Sequence, residues 1–294
     1  MTHLHDEIAS QPACWRRVHD LVPQAAAALP RPGERVAVIG CGTSYYMGQA
    51  YAALRERAGQ GETDAWPASE FPARRGYDRV LALTRSGTTT EVLTALAEVP
   101  AATPTVAITA DPATPITDAA AEIITLDFAD ERSVVQTRFA TTALVLLRAH
   151  LGEDTGALAA VAEAALRDPL PAALIRSEQF TFLGTGWTIG LANEAALKLR
   201  EAAQAWTESY FAMEYRHGPI AIAAPGRTVW IFGPAPDGLV DEIAATGAHL
   251  ELATADPLVD LVRAHRLADA LAESRNLDPD RPRNLDRSVV LRSA

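Results

Sequence analysis

The sequence is poor in cysteine, in long apolar runs and in basic residues, and each shortage excludes a class of protein. Only Cys14 and Cys41 are present, too few for a disulfide framework or a cysteine-based zinc site. No window approaches the roughly 18 uncharged apolar residues of a membrane span, and no Lys/Arg-rich amphipathic segment suggests membrane binding. The 26 basic and 37 acidic residues give a net charge of -11, which argues against nucleic-acid binding. We therefore expect a protein of the reducing cytoplasm, without a metal and without nucleic-acid or membrane partners.

What the chain does contain is enough apolar material for a large core. Its 294 residues are 48% hydrophobic and 21% charged, and this length corresponds to about two domains of roughly 150 residues each. The start, MTHLHDEIASQP, is charged and is expected to be broken by Pro12. It therefore has the character of neither a secretory signal nor a basic transit peptide.

Short β-branched runs alternate along the chain with alanine-rich helical patterns. The runs are nearly all apolar, as expected for parallel strands buried on both faces. This alternation predicts an α/β fold with doubly wound parallel sheets. The predicted strands are Arg35–Gly40, Arg79–Thr84, Thr105–Thr109, Glu122–Asp127, Gln179–Gly184, Thr228–Gly233 and His249–Thr254. The predicted helices span 43–58, 88–98, 137–150, 187–204, 237–246 and 257–273.

The two sets of strands resemble each other, which predicts a tandem repeat. The sequence from Gly40 to Thr43 ends one strand and opens a helix, and the sequence from Gly184 to Trp187 does the same later in the chain. The Asp168-Pro169-Leu170-Pro171 segment should end a helix firmly, because it holds two prolines within three residues. We therefore expect a first domain over 1–168, with the phosphate-binding loop, and a second over 169–294, with a catalytic helix and the C-terminal tail.

Two strand-to-helix turns in the first half are candidate anion sites. Gly40-Cys41-Gly42-Thr43-Ser44 would present free backbone amides at a helix N-terminus, although many such turns are only tight connections and Cys41 is most simply a small buried side chain. Thr84-Arg85-Ser86-Gly87-Thr88-Thr89-Thr90-Glu91 carries more hydroxyls than a helix cap needs, which favours a phosphate cradle over a polar turn. The equivalent place in the second half reads Gly233-Pro234-Ala235-Pro236-Asp237, without hydroxyls. We therefore expect one phosphate site in the chain.

Two further segments carry ionisable side chains with the spacing of a site. Glu194, Lys198 and Glu201 are spaced by four and three residues, so they share one face of a helix; a solvated row of ion pairs has the same spacing. His217 precedes Gly-Pro in a turn, where an acid/base imidazole and an ordinary loop histidine are both possible.

Five motifs in order resemble one family. GCGTS, TRSGTTTE, NEAALKLRE, EYRHGPIAI and DRPRNL occur in the order of the isomerase half of glucosamine-6-phosphate synthase, so the chain resembles a double sugar-isomerase (SIS) protein with two flavodoxin-like domains. The resemblance implies a sugar 6-phosphate as the ligand, no cofactor, and a homodimer with shared active sites. It implies Glu201 as the base that moves a proton between C1 and C2, His217 as a ring-opening residue acting across the dimer, and Lys198 as a further catalytic residue. The substrate and phosphate would contact Cys41, Gly42, Thr43, Ser44, Thr84, Arg85, Ser86, Thr89, Gln136 and Arg287.

Three departures from the family pattern bear on the reaction. The family's closing lysine, which forms an imine with the open sugar, is replaced in the segment that contains Arg287, and an arginine stays protonated. Gln136 stands in place of a serine, and Arg85 in place of a glutamine. Because Met1-Thr2 offers no N-terminal cysteine, we also expect no glutaminase half and no glutamine amidotransferase activity.

The resemblance leaves three functions open. The first is an isomerase or deaminase acting on an amino sugar 6-phosphate, of the glucosamine or N-acetylglucosamine type, by abstraction of the C2 proton. The second is a lyase that dehydrates N-acetylglucosamine 6-phosphate by loss of the 3-hydroxyl. The third is a sensor that binds a sugar phosphate without turnover. Retention of Glu201, Lys198 and His217 together favours an enzyme.

Overall fold

The computed structural model describes residues 2–253 and 255–291, and within these ranges nine strands form two parallel sheets. The first sheet comprises β1 (Val36–Gly40), β2 (Thr63–Pro67), β3 (Arg79–Leu83), β4 (Thr105–Thr109) and β5 (Glu122–Thr125), in the order β2-β1-β3-β4-β5. The second comprises β6 (Gln179–Gly184), β7 (Trp206–Phe211), β8 (Arg227–Phe232) and β9 (His249–Leu252), in the order β7-β6-β8-β9. The predicted α/β class with parallel sheets is confirmed.

Eleven α-helices and five short 3-10 segments occur in the described part of the chain. The helices are α1 (His3–Val18), α2 (Val22–Ala25), α3 (Thr43–Arg57), α4 (Thr90–Ala97), α5 (Ile116–Ala119), α6 (Arg138–His150), α7 (Leu158–Arg167), α8 (Ala172–Arg176), α9 (Thr188–Ala203), α10 (Leu239–Ala245) and α11 (Pro257–Ser274). The 3-10 segments are His19–Leu21, Ala68–Glu70, Asp127–Ala129, Glu214–His217 and Pro219–Ile222.

One large apolar core is shared by both sheets. Helices α1, α3, α6, α7, α9 and α11 pack on one another and contribute to it, together with one face of each sheet. The opposite face of the first sheet packs against α4 and α5, and that of the second sheet against α10. Each sheet therefore carries helices on both faces, which buries the apolar runs of the central strands completely.

The close approach of α9 to α3 brings the second half of the chain to the first sheet. Gly190 of α9 allows it, since a Cβ atom there would lie 2.4 Å from the carbonyl oxygen of Tyr46. Next to this contact, the side-chain amide of Asn193 donates a hydrogen bond of 2.8 Å to Gln49 Oε1. As a result, the last turns of α9 lie beside the turn that joins β1 to α3.

Two edge strands were not among the predicted strands. β2 and β7 each border only one other strand, and most of their residues are half-buried or exposed. Their sequences, TDAWP and WTESYF, mix polar and apolar residues and lack the continuous apolar run on which the prediction rests. β4 and β6 have the predicted ends, β8 begins and ends one residue earlier than predicted, and the remaining predicted strands are one or two residues too long. Thr254, the predicted end of the last strand, lies outside the described residues.

The expected break at Pro12 is not found, because α1 continues through it. A proline cannot donate the backbone hydrogen bond to the residue four positions earlier, here Ile8. The side-chain amide of Gln11 donates to that carbonyl instead, at 3.2 Å, and both Gln11 and Pro12 are buried. The helix end predicted at Asp168, by contrast, is found.

Candidate functional site

The candidate site lies at the carboxyl ends of β1 and β3, the point at which the strand order of the first sheet reverses. α3 follows β1 and packs toward the shared core, whereas α4 follows β3 and packs on the opposite face. Such a switch point leaves a crevice beyond the strand ends, where α/β proteins bind their ligands. A cavity of about 170 Å³ occupies it. It is lined by Cys41, Gly42, Thr43, Thr89, Val134, Gln136, Lys198, Glu201 and Leu285–Val289.

The turn after β1 forms one wall of the cavity. Gly42 is the N-cap of α3 with a positive φ of 51°, and no side chain caps this helix. The backbone N–H of Ser44 donates to the carbonyl of Cys41 at 3.1 Å, whereas that of Thr43 has no backbone partner and is available to a ligand. Burial raises the pKa of the Cys41 thiol to about 11, so this side chain is a neutral wall residue near neutral pH. Ser44 is buried in the first turn of α3 and is not among the lining residues.

The hydroxyl-rich loop after β3 forms the second wall. Gly87 has a positive φ of 63°, and a Cβ atom there would lie 2.0 Å from Thr114 Oγ1, so the tight turn requires glycine. Thr89 is the N-cap of α4, yet its hydroxyl makes no capping bond and faces the cavity. Thr84 is buried with its hydroxyl unpartnered, and Ser86 Oγ accepts from the backbone N–H of Thr88 at 3.3 Å.

Helix α9 supplies the ionisable groups. Lys198 is 1% exposed, and its ammonium pairs with the carboxylate of Glu201 and lies 3.6 Å from Glu194 Oε1. Burial by itself would lower the pKa of Lys198, but the two carboxylates outweigh it and raise that pKa. Burial raises the pKa of Glu194 to about 8 against the effect of Lys198. The predicted face of α9 is therefore a buried ionic cluster rather than a solvated row of ion pairs.

The C-terminal tail closes the cavity from outside. The hydroxyl of Ser288 is 2.8 Å from that of Thr88, and the backbone N–H of Thr90 donates to the carbonyl of Val289 at 3.1 Å. Arg287 lines the cavity and directs its guanidinium to the Asp130 carboxylate, at 2.5 Å, and to the carbonyl of Glu131.

Gln136 also faces the cavity, from the loop before α6. Its Oε1 atom is buried and has no hydrogen-bond partner. Because this atom has almost no accessible surface, a ligand can reach it only if the side chain moves.

Arg85 is placed differently from the phosphate contact that was expected. Its side chain is 1% exposed, and the guanidinium donates to backbone carbonyls, including that of Ser133 at 3.0 Å, instead of facing the cavity. We therefore remove Arg85 from the candidate phosphate ligands. The sequence could not indicate this orientation, because the acceptors lie far away along the chain.

His217 lies apart from the cavity in this chain. It ends the 3-10 segment Glu214–His217, is exposed, and does not line the cavity. Two large apolar side chains shortly before it in the chain are also exposed: Phe211 at 53% and Met213 at 51%. Trp206, at the start of β7, is exposed as well, at 65%.

The equivalent turn of the second sheet is closed by its own hydrogen bonds. Thr188 Oγ1 accepts from the backbone N–H of Thr185 at 2.8 Å and donates to the carbonyl of Phe232 at 2.8 Å. This turn follows β6 and corresponds to the turn after β1, and the hydroxyl at its helix start is used within the turn. The counterpart of the hydroxyl-rich loop follows β8 and has no hydroxyl between Gly233 and Asp237, which agrees with the expectation of one phosphate site.

The sequence did not indicate all the residues around the cavity. Val134 and the tail residues Leu285, Asp286, Ser288 and Val289 also line it, and no local pattern distinguishes them.

Across residues 2–253 and 255–291, no cluster of three or more His, Cys, Asp or Glu side chains is suited to a metal ion. None of the helices in these ranges is long and apolar enough to cross a membrane.

The fold and this crevice define the class: an α/β protein with the parallel-sheet architecture of SIS phosphosugar isomerases. A crystal structure of glucosamine-6-phosphate deaminase from Thermotoga maritima superposes with a TM-score of 0.80 at 24% identity, covering 99% of this chain and all of that one. A tagatose-6-phosphate ketose/aldose isomerase from Escherichia coli superposes with a TM-score of 0.78 at 18% identity, covering 95% and 94% of the two chains. Identities this low establish the fold alone.

Sequence comparison gives the same class of relatives. The chain is 28% identical over 311 aligned residues to the isomerizing glutamine–fructose-6-phosphate aminotransferase of Halobacterium salinarum, which covers 86% of this chain and 51% of the relative. The chain thus spans about half the length of the curated relatives it matches. No protein-family model matches the sequence.

Proposed function

We propose that the protein is an enzyme that acts on an amino sugar 6-phosphate, as an aldose–ketose isomerase or deaminase. The observation that carries the proposal is the pairing of Glu201 with Lys198 at the same small cavity as Thr89 and the free N–H group at the start of α3. This arrangement unites an anion anchor with a carboxylate base. Both are required for proton abstraction next to the carbonyl of a phosphorylated sugar. The names of the relatives, all of which refer to sugar phosphates, support the same substrate class.

In the proposed complex the phosphate lies at the N-termini of α3 and α4. Helix N-termini attract anions through free N–H groups and the helix dipole. Four residues with hydroxyl groups belong to the two strand-to-helix turns at this position: Thr84, Ser86, Thr89 and Ser44. Of these, Thr89 lines the cavity. The sugar would extend toward α9 along the cavity wall that contains Gln136.

The proposed reaction begins with transfer of the C2 proton of the open-chain aldose to the Glu201 carboxylate. The electron pair of the C–H bond forms an enediol or enolamine, whose developing negative charge the Lys198 ammonium can stabilise. O1 takes up a proton to complete the enediol, and return of the proton at C1 with loss of the proton of the 2-hydroxyl then gives a ketose. Where C2 carries an amino group, return at C1 gives an imine, which water converts to the ketose and ammonia. Thus one base serves both isomerisation and deamination.

His217 enters the proposal through a homodimer. An exposed imidazole outside its own cavity can act on a sugar bound to a second copy. The exposed apolar side chains of Phe211 and Met213, which shortly precede it in the chain, would then be covered by that copy.

We also propose that the chain divides into two tandem domains, 1–168 and 169–294, each built around one of the sheets. A cytoplasmic location is proposed as well.

A second candidate, dehydration of N-acetylglucosamine 6-phosphate, is favoured by the tail. Arg287 stands where the resembled family has its imine-forming lysine, and its guanidinium is engaged by Asp130. An aldehyde acidifies C2 without an imine, and an acetylated nitrogen does not leave as ammonia. After loss of the C2 proton, the 3-hydroxyl could therefore leave as water and give a 2,3-unsaturated sugar.

Product analysis by mass spectrometry separates these reactions. The purified protein is incubated with glucosamine 6-phosphate, its N-acetyl form and fructose 6-phosphate. Fructose 6-phosphate and ammonia from the first compound, or aldose from the third, support the isomerase or deaminase. A product lighter by one water from the N-acetyl compound supports the dehydratase and contradicts the first proposal. Calorimetric binding without turnover identifies a sensor, and absence of binding to all three contradicts the proposed substrate class.

A further inference from the structure

Arg85 belongs to the hydroxyl-rich loop beside the cavity, yet it has almost no exposed surface. It directly follows β3, and its side chain is 1% exposed. Its nearest carboxylate oxygen, Glu131 Oε2, is 3.8 Å away. The other oxygen of Glu131 accepts from the hydroxyl of Thr137 at 2.9 Å and from the backbone N–H of Arg138 at 2.8 Å. Arg85 is therefore held by more than a simple ion pair.

The guanidinium joins three segments that surround the cavity. Its Nη1 group donates to the carbonyls of Ser133, at 3.0 Å, and Val134, at 3.4 Å, and its Nη2 group donates to the carbonyl of Arg287, at 2.9 Å. Val134 and Arg287 both line the cavity, and Gln136 lies two residues beyond Val134. Arg85 itself belongs to the hydroxyl-rich loop.

Replacement of this group would remove the donor from the carbonyls of Ser133, Val134 and Arg287. A lysine has the charge but not the planar fork that reaches two segments at once. A glutamine is too short to replace both branches of the guanidinium. The tail would keep its contacts at Ser288 and Val289 and the contacts of the Arg287 guanidinium with Asp130 and Glu131. It would lose the connection that Arg85 makes between the Arg287 carbonyl and the carbonyls of Ser133 and Val134.

We propose that Arg85 is a positioning residue that holds the loop at 133–136 and the tail at 285–289 in their places around the sugar, and that it does not bind the phosphate. The effect of Arg85 on catalysis rests on the proposed function. Its effect on the loop and the tail is measured in the substrate-free protein, so this role of Arg85 and the proposed function can fail separately.

The test compares Arg85→Gln and Arg85→Lys with a matched control, Arg79→Gln. Arg79 is also a buried arginine, at the opposite end of the same strand, where it pairs with Glu34 and donates to the carbonyl of Ala28. Amide hydrogen exchange is measured on the substrate-free dimer or monomer as purified, and kcat and KM are measured on the best substrate.

In Arg85→Gln we expect exchange at 131–137 and 285–291 to accelerate by about ten-fold, the factor that corresponds to one lost hydrogen bond. Arg79→Gln should leave both segments unchanged at a similar melting temperature. Arg85→Gln should also raise KM for the sugar phosphate more than Arg79→Gln does, and Arg85→Lys should fall between wild type and Arg85→Gln.

Unchanged exchange in both segments of Arg85→Gln and Arg85→Lys would overturn the proposal. If, in addition, both variants lost affinity for inorganic phosphate in calorimetry, Arg85 would be a phosphate ligand after all. Accelerated exchange in a protein whose wild type binds no sugar phosphate would contradict the proposed function alone and leave the positioning role of Arg85 in place.

Discussion

The ammonium of Lys198 lies 3.6 Å from Oε1 of Glu194 inside α9, and both side chains are only 1% exposed. Lys198 also pairs with Glu201 at the cavity wall. One cation therefore compensates two carboxylates, and the arrangement holds the proposed base next to a positive charge. Two buried oxygens of Glu194 have no hydrogen-bond partner, so the stability of this region depends on the lysine.

Removal of Lys198 should destabilise the protein in a pH-dependent way. We expect Lys198→Met to lower the free energy of unfolding by about 3–5 kcal/mol near pH 8, the cost of leaving a buried charge unpaired. The loss should be smaller near pH 6, because the pKa of Glu194 is already raised to about 8 and the carboxyl can bind a proton there. Urea unfolding at the two pH values measures this.

The double variant Lys198→Met/Glu194→Gln provides the control, since it removes both charges. It should recover part of the lost stability near pH 8. If the single variant were as stable as the wild type at both pH values, the buried ionic cluster would not exist in the folded protein.

The phosphate site predicts a loss of affinity on removal of single hydroxyls. Ser86→Ala and Thr89→Ala should each weaken binding of a sugar 6-phosphate by about 1–3 kcal/mol, the scale of a hydrogen bond to a charged group. Isothermal calorimetry measures the affinities, and Thr94→Ala, an exposed threonine on the same helix α4, is the control. Unchanged affinity in both variants would remove the loop after β3 from the site.

The shared-site dimer predicts complementation between two inactive chains. Glu201→Gln lacks the proposed base and His217→Ala lacks the proposed ring-opening residue, so each should be inactive alone. A mixture should regain part of the activity, because some hybrid sites would combine an intact Glu201 with an intact His217. If subunits demonstrably exchange and the mixture stays inactive, the two residues do not act across an interface.

A buried histidine predicts a specific acid sensitivity of folding. His265 is 1% exposed, and burial together with Lys198 lowers its pKa from 6.5 to about 3. Below pH 6.5 the unfolded chain binds a proton that the folded chain does not, so stability falls as the pH falls toward 3, by up to about 1.4 kcal/mol per pH unit.

The variant His265→Leu isolates this contribution. Its free energy of unfolding relative to the wild type should rise as the pH is lowered from about 6.5 to about 5, and urea titrations at each pH give the difference. A difference that does not vary with pH would show that His265 titrates equally in both states. Glu7 and Glu194, whose raised pKa values act in the opposite sense, cancel in the comparison.

The sequence was most informative where burial forces a simple pattern. The central strands β1, β3, β4 and β6 must be apolar on both faces, and their continuous runs were found with nearly correct ends. The edge strands β2 and β7 are only partly buried, so they have no continuous apolar run, and they were missed. α1 was missed because Pro12 normally ends a helix, and the compensating bond from Gln11 to Ile8 is not visible in a local pattern.

For the site, the sequence indicated residue types better than orientations. Thr89, Lys198 and Glu201 line the cavity, because a turn after a parallel strand and one helix face place their side chains predictably. Gln136, which was named from the family resemblance, lines it as well. The orientation of Arg85 depends instead on carbonyls at Ser133, Val134 and Arg287. Such contacts, which join distant parts of the chain, follow only from the assembled fold.

The central claim is that Glu201 abstracts the C2 proton of a bound sugar phosphate. Glucosamine 6-phosphate, N-acetylglucosamine 6-phosphate and fructose 6-phosphate are each incubated with the wild-type protein and with Glu201→Gln in deuterated water, and deuterium in the recovered sugars is located by NMR. The account predicts that the wild type incorporates solvent deuterium at C2 of an aldose, or at C1 of the ketose, and that Glu201→Gln does not. Absence of exchange in all three sugars with the wild type, or equal exchange with Glu201→Gln, would contradict it.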